Sequence, residues 1–507
     1  MSKYTLGKEA TLEGEWWLPD QLEGTAPLHG TLTLSETSRA SLTMKGTFNA
    51  TRGAVYGDER YDYPAIFGAT ATELVTVLHA TRTGQTFNLG AAGARESERV
   101  SSSWTVVGAH VSSDTLYTEL RFRIPGLELW LDKSGITCSL SADAPFVSVY
   151  QVVHDAEEQF FVPAIGATMG WAIAHSHSTN FSKISVTTSA YLRIGTTEPR
   201  DLDWFVSQLS KATTLLCFMA GTPMGPDQVD AKLAGSAQRV EILVALSKGV
   251  RCAFADRSDF YMLRTAMKSD LGAVLAKWFE LYDSLEAPSQ LAQSVMSSTD
   301  LWLHVKFLSL MQALEGLHRA TKPGLYMLPA DYESIRQTIS NAIPSTIDSG
   351  HKDSLKARVK YGNEISLRKR MNALAMWLDE PLRNAILGGD GSIPGRWIDT
   401  RNYYTHWDKA SKSEVLDGQQ MYYANVRLQH LLRALYLQHV GIPQFAVLAC
   451  AQGRSTESQT LIQINNAQHR KNNPGDTSSA LMHVTLGGAP VGLDEAIPAS
   501  DDEPNGD

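Results

Sequence analysis

The chain has 507 residues, 43% of them apolar and 20% charged, and this composition excludes a fibrous or wholly disordered protein. Its net charge of −9 excludes a surface that is basic throughout, as some nucleic-acid-binding proteins have. At roughly 150 residues per domain, the length predicts about three structural units.

Cysteine usage and hydropathy both predict a cytoplasmic protein. Cys138, Cys217, Cys252 and Cys450 show no CxxC spacing, which argues against a zinc or redox site and favours buried thiols in a reducing compartment. The first residues lack the apolar core of a signal peptide. No apolar run approaches the roughly 20 residues that a membrane span needs. We therefore expect no membrane contact.

The first half of the chain is predicted to be β-rich over residues 1–197. Period-2 alternation, with β-branched and aromatic residues between glycines and prolines, is typical of strands. The segments with this pattern are residues 30–36, 40–48, 119–131 and 183–195.

A mixed region is predicted over residues 198–290. A helix is expected from Arg200, with Asp201 as its N-cap, because apolar residues then recur at helical spacing. A strand is predicted over residues 239–246 and a further amphipathic helix from Thr265.

Residues 291–450 are predicted to form an all-helical bundle, because amphipathic segments follow one another with short connections. The predicted helices are residues 298–319, 329–343, 352–378 (one long or broken helix), 399–408 and 419–440. Residues 451–507 are polar, end in an acidic run and are predicted to be disordered. The fold class is therefore α+β multidomain, with a β-rich N-terminal region followed by a C-terminal all-α bundle.

A local basic segment departs from the acidic average. Residues 351–370 hold seven Lys or Arg against two acids. Within it, Arg368, Lys369 and Arg370 are candidates for contacts along an RNA backbone, and a solvated helix face is the alternative.

The stretch TRNYYTHWDK, residues 400–409, holds the main candidate site. Arg401 and His406 are five positions apart, so one straight helix separates them by about 140°. Asp399 or Thr400 is a suitable N-cap, which would put Arg401 in the first turn, where it could bend back. Alternatively, two copies of the helix face each other across a two-fold axis.

An arginine and a histidine suffice for one kind of RNA cleavage. Histidine transfers protons near neutral pH, and arginine stabilises the charge that develops on phosphorus oxygens. The 2′-OH of RNA supplies the nucleophile, so no metal is required, and the products are a 2′,3′-cyclic phosphate and a 5′-hydroxyl. On spacing alone, a capped helix with a paired arginine and a core histidine is the more economical interpretation.

Other aromatic and histidine residues have two interpretations each. Tyr403 and Tyr404 could stack on bases beside the cut site or pack inside the bundle. Trp16 and Trp17 could stack on bases but more simply begin a β-domain core.

A metal site receives little support. His175 and His177 project to one face of a predicted strand, but no carboxylate or cysteine stands at a ligand spacing. We expect no metal and no cofactor.

The sequence context of the motif resembles a known family. RNYYTHWD, with Asn402 directly after the arginine, resembles the R-x4–6-H signature of HEPN ribonucleases, and LMQALEGLHR resembles their first helix, with Glu315 as its acidic residue. The resemblance implies that Arg401 binds the scissile phosphate, His406 shuttles protons and Asn402 orients the arginine or the phosphate. Glu315 is expected to pair with Arg401 or His406 of the motif helix and to set the orientation of the histidine, or else to pair with Arg319.

The N-terminal half extends this resemblance. EGEWWLPD (13–20), HGTLTLS (29–35) and PGLELWL (125–131) are similar to the N-terminal domain of the Apea-like abortive-infection family, which joins a β-rich region to a HEPN domain. The resemblance covers most of residues 10 to 450. It implies a defence ribonuclease that is silent until a phage-derived trigger is sensed and then cleaves tRNA or mRNA, with the β-rich half as sensor or brake.

The sequence leaves the oligomeric state and the catalytic activity open. We expect a homodimer or larger homo-oligomer formed through the bundle. The alternative function is a non-catalytic HEPN module that binds RNA or a partner, or that dimerises.

Overall fold

The structure is a computed structural model that describes residues 3–20, 25–37, 39–48, 62–90, 93–133, 135–140, 148–153, 157–245, 254, 256–298, 300–407 and 414–472. Residues 1–462 cluster as one unit and residues 463–507 as a second.

The N-terminal half is built from strands. Their bounds are β1 Ala10–Trp17, β2 Leu28–Leu34, β3 Ala40–Lys45, β4 Asp62–Thr70, β5 Leu74–Gly90, β6 Gly93–Ser102, β7 Trp104–Val107, β8 Tyr117–Arg123, β9 Ile136–Leu140, β10 Ser148–Val152, β11 Glu158–Val162, β12 Ala167–Thr179, β13 Ile184–Arg200, β14 Gln228–Leu233 and β15 Arg239–Val244.

Thirteen of these strands share one antiparallel sheet, and part of that sheet closes on itself. The order is β11-β12-β13-β8-β14-β15-β7-β5-β4-β1-β2-β3-β6, and β6 pairs with β5 as well as with β3. The strands β5, β4, β1, β2, β3 and β6 therefore form a closed ring, which leaves no free edge within that part. Strands β9 and β10 form a separate pair.

Trp16 shows why the barrel packs as it does. Its side chain is fully buried, and its Nε1 donates a hydrogen bond to the carbonyl of Gly30 at 3.1 Å. A Cβ on Gly68 would lie 2.4 Å from the Trp16 ring, so only glycine fits there. Trp17 packs edge-on against His110, with ring centroids 5.2 Å apart. These tryptophans are packing residues of the β-domain.

The remaining elements are helices. Their bounds are α1 Leu127–Trp130, α2 Leu202–Ala220, α3 Leu271–Ser297, α4 Leu303–Thr321, α5 Pro329–Asn341, α6 Ser349–Lys360, α7 Leu367–Ala375, α8 Glu380–Leu387, α9 Gly395–His406, α10 Gly418–His439, α11 Gln444–Ala451 and α12 Thr456–Asn472.

Helix α2 connects the β-rich half to the bundle. As predicted, Asp201 is its N-cap, and the carboxylate accepts a hydrogen bond from the Trp204 N–H at 2.7 Å. Phe218 of α2 stacks on Tyr436 of α10, with centroids 4.3 Å apart and planes 9° apart. Trp278 of α3 packs edge-on against both rings. The two halves therefore share one apolar core.

Several local predictions were wrong in their bounds. PGLELWL is a helical turn rather than the end of a strand, since Gly126 has a φ of 81°, a backbone conformation that leaves the strand. Helix α4 begins at Leu303, five residues later than predicted, and its N-cap is Trp302. Residues 352–378 take the broken form of the two that were predicted, as α6 and α7, whereas α8 was not predicted.

The polar tail also differs from its prediction. Helix α12 occupies Thr456–Asn472, where disorder was expected. The rest of the tail lies outside the described residues.

The predicted fold class is confirmed: a β-rich region precedes a region that is helical from α3 onward. Among the described helices, none combines the length and the apolar content needed to cross a membrane. Cys217 and Cys450 are buried, as expected, whereas Cys138 is exposed, contrary to expectation, and Cys252 lies outside the described residues.

Candidate active site

Helix α9 carries the arginine and the histidine, but it begins earlier than predicted. Its N-cap is Pro394, so Arg401 lies almost two turns into the helix and gains nothing from the free N–H groups of the first turn. Thr400 is not a cap either. It is buried, and its hydroxyl accepts a hydrogen bond from the Leu416 N–H at 3.0 Å. A bend from a frayed first turn therefore cannot bring Arg401 to the histidine.

Arg401 is held by two neighbours. Its Nη2 donates to Glu315 Oε2 at 3.3 Å, and its Nη1 donates to Asn402 Oδ1 at 3.3 Å. The side chain remains 29% exposed. The guanidinium is thus oriented and still accessible from one side.

Glu315 on α4 bonds to two arginines at once. Its Oε1 accepts hydrogen bonds from Nε and Nη2 of Arg319 at 3.2 and 3.1 Å, while its Oε2 accepts the hydrogen bond from Arg401. The two predicted alternatives, a pair with the motif helix and a pair with Arg319, therefore coexist. The expected contact between Glu315 and the histidine is not among the contacts of the described residues; the carboxylate orients Arg401 instead.

Arg319 extends this network. Its Nη1 lies 2.8 Å from Glu364, which also accepts a hydrogen bond from Arg370 at 3.3 Å. Burial alone would lower the pKa of Arg319, but its hydrogen bonds to Glu364 and Glu315 raise it. The charge of Arg319 is thereby kept beside the candidate site.

A cleft of about 600 Å³ lies between α4 and α9. Its lining residues are Leu308, Gln312, Glu315, Gly316, Arg319, Arg401, Tyr404 and Thr405. The α4 members recur every three or four positions and so share one helix face. The cleft places the Arg401 guanidinium where a phosphate could reach it.

His406 stands apart from this cleft. It is the last residue of α9, it is exposed, and it is not among the described residues that line the cleft. The chain turns directly after it, since Trp407 has a φ of 55° and its N–H donates to the Tyr403 carbonyl at 2.6 Å. This separation agrees with the roughly 140° offset expected from their spacing on one helix.

A cluster of aromatic rings surrounds the end of α9. Tyr404 stacks on His304, with centroids 5.3 Å apart, and meets Tyr403 edge-on at 5.2 Å. Trp407 lies 6.2 Å from both tyrosine rings and is 69% exposed. Tyr404 therefore packs against the bundle, whereas Trp407 offers a free face. Nothing in the spacing of His304 and Tyr404 indicates that they meet, because they lie on different helices, α4 and α9.

The three basic residues of α7 have different environments. Arg368 is exposed and lies 3.8 Å from Asp399, and Lys369 lies 4.4 Å from the centroid of the Tyr326 ring. Arg370 is only 2% exposed, donates to the Gly324 carbonyl at 3.3 Å and lies 3.2 Å from His318 Nδ1. Burial lowers the pKa of Arg370. We therefore leave Arg370 out of any RNA-contacting surface.

The histidine pair at residues 175 and 177 lies on strand β12, as predicted. His175 Nδ1 is 3.1 Å from Thr188 Oγ1, and His177 is exposed. In the part of the chain that the structure describes, no group of three or more His, Cys, Asp or Glu side chains is arranged to hold a metal ion.

Comparison with known families gives two matches. Residues 11–278, more than half of the chain, match the ApeA N-terminal domain 1, and residues 308–444 match the Apea-like HEPN domain. The second match includes Glu315, Arg401 and His406. No curated protein and no solved structure matches the chain.

Proposed function

The chain belongs to the ApeA-type HEPN family, and from this premise we propose that it is a metal-independent endoribonuclease of an anti-phage, abortive-infection system. The observation that carries the proposal is the α4–α9 cleft, in which Glu315 and Asn402 hold an accessible Arg401 on the same helix as His406. Oriented guanidinium groups bind phosphate oxygens in a bidentate manner.

The proposed reaction needs only groups of the protein and the RNA. The 2′-oxygen attacks the adjacent phosphorus and loses its proton, the bond from phosphorus to the 5′-oxygen breaks, and the leaving oxygen gains a proton. Arg401 stabilises the charge on the phosphorus oxygens, and His406 transfers a proton. Asn402 and Glu315 position Arg401. The products are a 2′,3′-cyclic phosphate and a 5′-hydroxyl.

A second chain completes the site in this proposal. Because Arg401 and His406 lie on different faces of α9, one copy would supply the arginine and the other the histidine across a two-fold axis. The exposed His406 and Trp407 at the end of α9 support such an arrangement.

The target and the trigger follow from the family resemblance. We propose tRNA or mRNA as the substrate, a phage-derived component as the trigger, and the β-rich half as the sensor or brake. A HEPN module that binds RNA without cutting it is the competing function.

The test uses purified Arg401→Ala and His406→Ala variants, singly and mixed. Each sample is incubated with RNA and the phage-derived trigger, and the ends of the RNA are then analysed. Each variant alone is expected to lose at least 100-fold in cleavage, because each lacks one of the two catalytic groups. Mixing them is expected to restore partial activity, since a mixed dimer contains one complete site. Cleavage should persist in EDTA.

The control is His177→Ala, which removes an exposed histidine far from α9 in sequence and is expected to cleave like the wild type. Cleavage that survives His406→Ala contradicts the site assignment. Inactive mixtures contradict the shared site, and a wild type that binds but never cuts RNA favours the binding module.

A further inference from the structure

Helices α5 and α6 form a projecting hairpin between α4 and α7. They pack against each other, the Tyr332 hydroxyl donates to the Val359 carbonyl at 2.6 Å, and neither helix contains a buried residue. The hairpin, residues 329–360, contributes nothing buried to the bundle core, so another role must account for it.

The base of this hairpin is fixed. The Tyr326 N–H donates to the Asn363 carbonyl at 2.9 Å, and the Asn363 side chain exchanges two hydrogen bonds with the Met327 backbone at 3.1 and 2.9 Å. Asn363 is buried. The hairpin is therefore held in position on the bundle and can present a surface.

One face of α6 is a stripe of lysines. Lys352, Lys356 and Lys360 recur every four residues, so they share a face and span about 12 Å of helix. No ion pair in the described part of the chain involves any of them, and Asp353 is the only acid in α6. Like charges at this spacing destabilise a helix, so an uncompensated stripe favours an anionic partner.

Exposed tyrosines accompany the lysines. Tyr361, directly after α6, is 61% exposed and lies 5.9 Å from Lys360 Nζ. Tyr326 at the hairpin base is also exposed, beside Lys369. Cationic groups that follow a backbone, with aromatic faces for bases between them, are the features of single-stranded nucleic-acid binding.

The hairpin base continues into the candidate active site. A second cavity of about 170 Å³ is lined by Arg319, Lys322, Gly324, Leu325, Glu364 and Arg370. Arg319 lines this cavity and the α4–α9 cleft as well, so the two adjoin. A strand that leaves the cleft past Arg319 therefore meets the hairpin base first.

We propose that the α5–α6 hairpin is a second RNA contact, in which Lys352, Lys356 and Lys360 hold the backbone of the strand whose scissile phosphate occupies the cleft. The inference rests on the proposed function, because it takes RNA as the substrate. It deepens that function by naming the substrate class: RNA with a single-stranded segment long enough to reach from the cleft to the hairpin.

The experiment measures RNA binding by the full chain carrying His406→Ala, so that the RNA stays intact. Two triple variants are made in the His406→Ala chain. One carries Lys352→Gln, Lys356→Gln and Lys360→Gln, and the other replaces the same three lysines with Arg, which preserves the charge. The matched control is Lys8→Gln, Lys45→Gln and Lys183→Gln, three exposed lysines of the β-rich half.

The glutamine triple on α6 is expected to weaken binding of a single-stranded RNA of about 40 nucleotides roughly 10- to 100-fold at ~0.1 M salt. The slope of log affinity against log salt should fall by about 2, as three lost phosphate contacts require. An RNA of roughly six nucleotides, which fills the cleft alone, should bind with little change. The arginine triple should bind like its parent, which excludes a folding defect.

If the glutamine triple binds the long RNA with unchanged affinity and salt slope, the inference is overturned. An acidic protein surface would then be the partner of the hairpin. An equal loss of RNA affinity in the control triple also overturns the inference, because lysines anywhere on the surface would then contribute as much to RNA binding as those of α6. Cleavage by the histidine-bearing chain is scored separately. If the chain binds RNA through the hairpin but never cuts it, the proposed function is contradicted and this inference stands. If the chain cuts RNA while the glutamine triple binds RNA normally, this inference is contradicted and the proposed function stands.

Discussion

At the scale of single residues, the decisive contact is the sharing of Glu315 between Arg401 and Arg319. Ion pairs at a protein surface contribute only about 0–1 kcal/mol of stability. The structural consequence is therefore orientation: the carboxylate holds the Arg401 guanidinium at the cleft, and Arg319 keeps the carboxylate in place.

This sharing leads to a prediction for two substitutions on α4. Glu315→Gln is expected to lower RNA cleavage about tenfold, because Arg401 loses its charged partner and its orientation. Arg319→Gln leaves the Arg401–Glu315 pair intact and is expected to lower cleavage less than threefold. Single-turnover cleavage rates measure both effects, and melting temperatures verify that both variants fold. Equal losses in the two variants would contradict the orienting role of Glu315.

At the scale of elements, the motif helix α9 is tied to the segment that follows it through Thr400. The hydroxyl of this buried residue accepts the Leu416 N–H, so the residue predicted as a helix cap instead anchors the chain before α10. The arginine and the histidine thus lie on a helix with a fixed position in the bundle.

Thr400→Val is expected to lower the free energy of unfolding by about 1–2 kcal/mol, since it preserves shape but leaves the Leu416 N–H unsatisfied. Thr400→Ser retains the hydroxyl and is expected to lose less. Urea denaturation of both variants measures the difference. Indistinguishable losses would mean that the methyl group, rather than the hydrogen bond, matters at this position.

At the scale of the whole molecule, helix α10 joins the region of the N-terminal family match to the bundle. Its Tyr436 stacks on Phe218, and its His430 meets Tyr261 edge-on at 5.5 Å. Arg433 of the same helix is buried and paired with Glu457 at 2.5 Å. Under the sensor role proposed for the β-rich half, a signal would reach α10 through packed side chains rather than through a flexible linker.

The junction at α10 makes stability depend on pH. Burial lowers the pKa of His430 to about 3, with the charge of Arg433 as a further cause. Below pH ~6.5 the His430 imidazole therefore binds a proton in the unfolded chain but stays neutral in the folded chain. The free energy of unfolding accordingly decreases as the pH falls below that value. Between pH 6.5 and pH 5 the loss is about 2 kcal/mol.

His430→Gln is expected to reduce this dependence in urea denaturation curves measured from pH 7 to pH 5. This substitution should not abolish the pH dependence of stability, because burial also lowers the pKa values of His318 and His439. The exposed His177→Gln serves as the control and should follow the wild type. A His430→Gln curve parallel to the wild type would show that the histidine is not the titrating group.

By itself, the sequence determined the order of the architecture and the residues of the motif. Alternation in β2 and β3, the Asp201 cap and the helical stripe that carries Glu315 are local patterns with periods of 2 and 3.6, and local patterns can be read along a chain. The spacing on one helix also predicted Arg319 as a partner of Glu315. The other candidate partners, Arg401 and His406, came from the family resemblance, and the structure pairs Glu315 with Arg401 as well as with Arg319.

Only the tertiary structure decided which residues meet from distant segments. The pairing of β3 with β6, the burial of Arg370 beside His318 and the stacking of Tyr404 on His304 depend on how elements pack, and residue spacing does not encode packing. The same holds for Arg401 and His406. Their spacing set the angle between them, but the early start of α9 at Gly395 removed the bend that could have joined them within one chain.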